Sequence, residues 1–177
     1  MATVAFLKGI NVGGHRRFRP AVLADQLRRF NVVNIGSTGT LVVLEPVGRN
    51  DLRAEIAGRV PFRVEVMLCG GGEILRLVAG NPFAGEVARQ DVVPFVGVMA
   101  GRKRLLPTIP FTVPAGTDWH VKVSGFQGRF VLGLYRRQMR TIACFGPLEK
   151  AVGASLAIRG WNTILAVEKA LPRQASK

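Results

Sequence analysis

The stretch Lys8-Gly9-Ile10-Asn11-Val12-Gly13-Gly14, followed by His15, Arg16, Arg17 and Arg19, has the residue types of an anion cradle. Backbone N–H groups of a glycine-rich loop between a strand and a helix can surround a phosphate, and arginines add charge. The spacing is not that of a P-loop, because no Gly-Lys-Ser/Thr follows. Nor is it the dinucleotide fingerprint, because Gly9, Gly13 and Gly14 do not fall at GxGxxG positions. The same residues also suit a tight turn after a strand, with Asn11 hydrogen-bonded to its own backbone. Both readings stand on the sequence. A second candidate is Arg159-Gly160-Trp161-Asn162-Thr163. Asn162 suits a helix N-cap and Trp161 can pack the helix entry, which is a structural role. Arg159 can pair structurally or hold a phosphate or carboxylate. Ser37 and Thr38, in Gly36-Ser37-Thr38-Gly39, carry hydroxyls, but this is one residue short of a nucleophile elbow and joins strand to strand. His15 and His120 are the only histidines, and neither stands in a motif that would bring a base to those hydroxyls.

Cys69 and Cys144 form neither a CxxC nor a metal-ligand spacing, and read as reduced, buried thiols. With two histidines, no HxH or HxxxH and eleven scattered acids, no metal site, no paired-carboxylate chemistry and no cofactor is expected. The candidate ligand-binding residues are therefore Lys8, Gly9, Asn11, Gly13, Gly14, Arg16, Arg17, Thr38, Arg159 and Asn162.

The elements that must carry them follow from hydrophobic period and breakers. Thr3–Leu7 reads as a strand, Pro20–Phe30 as a helix with Leu23, Leu27 and Phe30 on one face, and Val32–Ile35 and Thr40–Leu44 as strands. A helix capped by Asn50 or Asp51 runs to Val60. Phe62–Leu68 alternates as a strand, Gly70-Gly71-Gly72 breaks it, and Glu73–Val78 is a short helix. The first six elements match the split-βαβ, ferredoxin-like order. The second half repeats it in degraded form. Val92–Met99 is a strand that Pro94 would place at an edge, and 101–116 is a proline-interrupted loop where a helix would stand. Trp119–Ser124 and Arg129–Arg136 make a hairpin across Phe126-Gln127-Gly128. Pro147–Val152 is a short helix, Ala157–Trp161 a strand and Asn162–Ala170 a helix. The expected organisation is α+β, with a ferredoxin-like half over residues 1–80, a linker over 81–91 and a second, degraded ferredoxin-like half over 92–177.

Several segments are familiar together. Leu7-Lys8-Gly9-Ile10-Asn11-Val12-Gly13-Gly14 resembles the LRGINVGG start of domain-of-unknown-function family 1697. Ser37-Thr38-Gly39-Thr40-Leu41-Val42-Val43 falls where that family reads QSGNVVF, Asn81-Pro82-Phe83 matches its mid-chain NPF, and Arg159-Gly160-Trp161-Asn162-Thr163 resembles its RNWNT close. Lys8 stands for the usual Arg, Thr40 for an Asn and Gly160 for an Asn. The resemblance implies a ferredoxin-like α+β fold and carries no activity with it.

Over 177 residues the chain is 48% hydrophobic and 20% charged, a globular balance with enough apolar surface to offset chain entropy. No apolar run reaches the roughly 18–20 residues that span a bilayer. MATVAFLKGINVGG has no basic leader, so the expected setting is cytoplasmic, in a bacterial-type protein. Lys and Arg number 25 against 11 Asp and Glu, a net charge of +14 that attracts polyanions. An RRM would need base-stacking aromatics on its first and third strands, and Thr40–Leu44 carries none. A looser electrostatic mode would use Arg16, Arg17 and Arg19 with Arg102, Lys103, Arg104, Arg136, Arg137 and Arg140. The expectation is a module that binds an anion, either nucleic acid or a phosphorylated small molecule. The alternative is a small-molecule enzyme whose site lies between the halves, where Asn11, Thr38, Arg159 and Asn162 would converge. Nothing in the chain points to an oligomeric state.

Overall fold

The structure is a computed structural model that describes residues 1–11, 14, 17–86, 89–101 and 107–172. It is a mixed α/β protein with two antiparallel sheets and five α-helices among the described residues. Residues 1–79 and 162–177 group as one compact unit and 80–161 as another. The grouping differs from halves over 1–80 and 92–177 joined by a linker over 81–91 in that residues 162–177 count with the first unit.

The first unit runs β1 (Thr3–Lys8), α1 (Pro20–Gln26), β2 (Val32–Ile35), β3 (Thr40–Val43), α2 (Arg49–Ala57), β4 (Glu65–Gly70) and α3 (Gly71–Ala79). Its sheet order is β2-β3-β1-β4. Alternation along the strands sends Ala5, Leu7, Leu41, Val43 and Leu68 to one side. There they bury against Leu23 and Leu27 of the α1 segment and Leu52 and Ile56 of α2. Each fully buried Leu or Ile contributes about 1.5–3 kcal/mol. The expected helix to Phe30 divides: α1 ends at Gln26, Leu27 leaves helical geometry, and a 3-10 turn over Arg28–Phe30 stops at Asn31 (φ 49°). The expected glycine break after β4 is instead a direct passage, since Gly71 already belongs to α3. A Cβ on Gly71 would lie 2.7 Å from Leu171 Cδ2 and 3.4 Å from the Ala2 carbonyl, so the end of the last helix packs there.

The second unit runs β5 (Val92–Met99), β6 (Phe111–Val113), β7 (Val121–Gln127), β8 (Phe130–Arg136), α4 (Met139–Val152) and β9 (Leu156–Gly160), which leads directly into α5 (Trp161–Ala170). Its sheet order is β6-β7-β8-β5-β9. With β6 set aside, β7-β8-β5-β9 repeats the connectivity of β2-β3-β1-β4, and α4 and α5 fall where α2 and α3 do. Phe95, Met99, Val121, Val123, Val131 and Leu156 bury against Cys144, Leu148 and Val152 of α4.

Three expectations change here. Pro94 does not put β5 at an edge, because β5 lies between β8 and β9. Pairing with β9 begins at Phe95↔Gly160, so the missing N–H of Pro94 costs no ladder bond on that side. Residues 101–116 are not all loop, for Phe111–Val113 pairs with Val121–Val123 as an edge strand between two prolines. Helix α4 starts eight residues before Pro147. The carbonyl that Pro147 leaves unpaired is that of Ala143, and both residues are exposed to water, so the helix passes through.

Candidate functional site

In the first unit, the glycine loop and the turn between β2 and β3 are tied to each other. Asn11 sits in the left-handed region (φ 54°). Its Nδ2 donates to the carbonyls of Phe18 and Ser37, each at 2.8 Å, and its Oδ1 accepts from the Phe18 N–H at 2.8 Å. The Leu7 N–H donates to the Gly39 carbonyl at 2.8 Å. Gly39 (φ 75°) is needed twice over. Its backbone angle suits glycine, and a Cβ would lie 2.6 Å from Ile10 Cδ1 and 2.9 Å from Leu7 Cβ. The two motifs thus close on each other around the end of β1.

Lys8 ends β1 opposite Glu65 of β4, with Nζ 3.9 Å from Oε1. Gly9 (φ 81°) and Gly14 (φ 76°) also hold left-handed angles. Arg17 is exposed, and Thr38 lies in the turn beside Ser37. Gly13 and Arg16, with His15 and the basic run 102–104, lie outside the described residues. Asn162 is the second residue of α5 rather than its N-cap, and is exposed. Asn11 and the turn that carries Thr38 are therefore brought together. Arg159 belongs to the second unit, on β9 opposite Val96. It is buried, and its Nη1 donates to the Ile158 carbonyl at 2.9 Å. Burial pushes its guanidinium down to about 10.

The second unit holds a cleft of about 500 Å³, within the range of small-ligand sites. Its floor is a row across the sheet: Lys122 of β7 lies opposite Leu134 of β8, which lies opposite Pro94 of β5. These positions alternate with the residues that face α4. The walls are Trp119, Trp161 and the turn Asn81–Glu86, with Arg89 and Val92 at one side. The ring of Phe83 meets that of Trp161 edge to face, centroids 5.1 Å apart at 70°. The guanidinium of Arg136 lies 4.5 Å from the centroid of Trp119. Arg89 is engaged by Asp91 through two bonds, Nε–Oδ1 at 3.0 Å and Nη2–Oδ2 at 2.8 Å. The Arg89 hydrogen bond holds the Asp91 carboxyl below the usual carboxylate range. The Lys122 ammonium has no hydrogen-bond or ion-pair partner among the described residues.

Of this cleft, the sequence motifs mark Asn81, Phe83 and Trp161. Trp119, Lys122 and Arg136 belong to no motif, and only strand alternation within the expected hairpin could have put Lys122 on the face away from the helix. No described helix is long and apolar enough to cross a membrane, and no three of His, Cys, Asp and Glu gather among the described residues.

A conserved bacterial protein from Streptococcus pneumoniae has a similar fold, with a TM-score of 0.58 and 13% identity over 97% of this chain and 98% of that one. At that identity the likeness concerns the fold alone. No curated protein matches the chain. The family described as protein of unknown function, DUF1697, matches residues 1–102. That region includes the glycine loop, the β2–β3 turn and the Asn81-Pro82-Phe83 wall of the cleft, and on this match the chain belongs to the DUF1697 family.

Proposed function

We propose that the protein is a binding module for a phosphorylated small ligand, built from two ferredoxin-like halves, with its site in the cleft of the second unit. One observation carries this reading: Lys122, a cation without a partner among the described residues, stands on the floor of a cleft walled by aromatic rings. An ammonium among apolar neighbours gains more from an anion than one in open water, because the local dielectric is lower. The net charge of +14 supports the same class of ligand by drawing anions to the surface. The glycine loop is assigned a different part. Both donors and one acceptor site of the Asn11 amide are engaged in closing that loop, which favours a structural role for the motif.

The test is calorimetric titration of the full chain with inorganic phosphate, pyrophosphate and ribose 5-phosphate, alongside Lys122→Gln. A charge-assisted hydrogen bond is worth about 1.5–3 kcal/mol, so the variant should bind about ten- to a hundredfold more weakly. Equal affinity in wild type and variant, or no phosphate bound by either, would end the proposal.

A further inference from the structure

We infer that the ligand of this cleft is a nucleoside monophosphate, with its phosphate on Lys122 and its base against the tryptophans. The inference rests on the phosphorylated-ligand reading and adds the ring. The chain has two tryptophans, and both line this one cleft. Each is partly exposed, and each is braced by a neighbour: Trp161 by the edge-to-face ring of Phe83, Trp119 by the guanidinium of Arg136. Rings already held in place lose little freedom when a flat partner arrives, so the stacking energy is not offset by ordering them. Every nucleobase offers a π-face for such a platform.

The polar groups narrow the ligand further. Asn81 and Glu86 are exposed on the wall, an amide and a carboxylate suited to the edge of a base and to ribose hydroxyls. Arg89 is occupied by Asp91. That leaves a single unengaged ammonium among the described lining residues, with the carboxylate of Glu86 also at the cleft. A single phosphate is the group that this one ammonium can pair with. The added phosphates of a triphosphate would bring further negative charge to a cleft whose described lining holds no second unengaged cation.

The test uses the full chain and calorimetry with the four common ribonucleoside monophosphates, the corresponding nucleosides and triphosphates, ribose 5-phosphate and a five-nucleotide RNA. At least one monophosphate should bind, and it should quench the intrinsic tryptophan emission, all of which comes from this cleft. Ribose 5-phosphate should bind about five- to a hundredfold more weakly, the share that base stacking supplies, and the triphosphate no more tightly than the monophosphate. Trp119→Leu should weaken the nucleotide by a larger factor than it weakens ribose 5-phosphate, and Trp161→Leu serves the same purpose should Trp119→Leu melt early.

Ribose 5-phosphate binding as tightly as the best nucleotide would overturn the ring and leave the phosphorylated-ligand reading in place. No phosphate binding at all would overturn both. A nucleoside equal to its nucleotide would remove the phosphate from Lys122. RNA more than tenfold tighter than any monophosphate would replace the small molecule with a strand.

Discussion

The two units carry one strand connectivity and use it differently. In the first, the end of β1 is closed: Asn11 bridges the loop to the β2–β3 turn, and Gly39 fits under Ile10 and Leu7. In the second, the described residues between the first two strands of the pattern add the edge strand β6. The sheet face away from α4 carries an open cleft with a lysine on its floor. The same sheet order thus supports a tied junction at the end of β1 in the first unit and, on the sheet face of the second, a cleft with one unpaired ammonium among its described residues.

The largest way to break the comparison is through one close-packed glycine in each unit. A Cβ on Gly133, in the central strand β8, would collide with the Lys122 carbonyl and lie 2.8 Å from the Phe95 ring. Gly133→Ala should cost about 3 kcal/mol or more, because a strand must move. Gly39→Ala meets side chains and a left-handed φ, and should cost about 2–3 kcal/mol. Urea midpoints check both. A Gly133→Ala protein as stable as wild type would mean that β7 and β8 separate easily.

Next in size, Asn11→Ala removes three hydrogen bonds and leaves a non-glycine residue at φ 54°. The expected loss is about 2 kcal/mol by urea unfolding. A loss under about 0.5 kcal/mol would return the glycine loop to candidacy as an anion cradle.

The smallest effect sharpens the second unit. The folded pKa of Asp91 is lowered, so its contribution to stability is present above the unfolded value of about 3.9 and is lost as pH falls through the folded one. Between pH 5 and 8 the Arg89–Asp91 pair should therefore make no slope in stability, and Asp91→Asn should not create one. The same variant releases Arg89, and the affinity of the cleft for phosphate should rise about two- to fivefold, the worth of an exposed ion pair. A fall in affinity would mean that Asp91 holds Arg89 in place for the ligand.

Much of the fold was legible because period and breakers agree there. Val32–Ile35 and Val92–Met99 coincide with their strands, and Pro20 opens its helix. Where a breaker misled, tertiary context decided. Pro147 sits in α4 because its unpaired partner carbonyl faces water, and Pro94 sits in a central strand because β9 stops one residue short. The loop motif was legible as a turn or a cradle, but not the partner of Asn11, since Ser37 is 26 residues away. The cleft was legible only in part. Phe83 and Trp161 stand in motifs 78 residues apart, and their contact is a product of the sheet order, which no local pattern encodes.

The order of the chain also bears on how the protein is made. The first unit is discontinuous: it is left at Ala79 and rejoined at Asn162, so α5, with buried Ile164 and Val167, is the last of its elements to leave the ribosome. Until then Gly71 faces no Leu171. At typical synthesis rates of 5–20 residues per second, the 82 residues from 80 to 161 hold the first unit unfinished for about 4–16 s. The second unit, continuous from Gly80 to Trp161, is fully synthesised before the first can close. Translation thus presents the cleft-bearing unit complete while its neighbour still waits for its final helix.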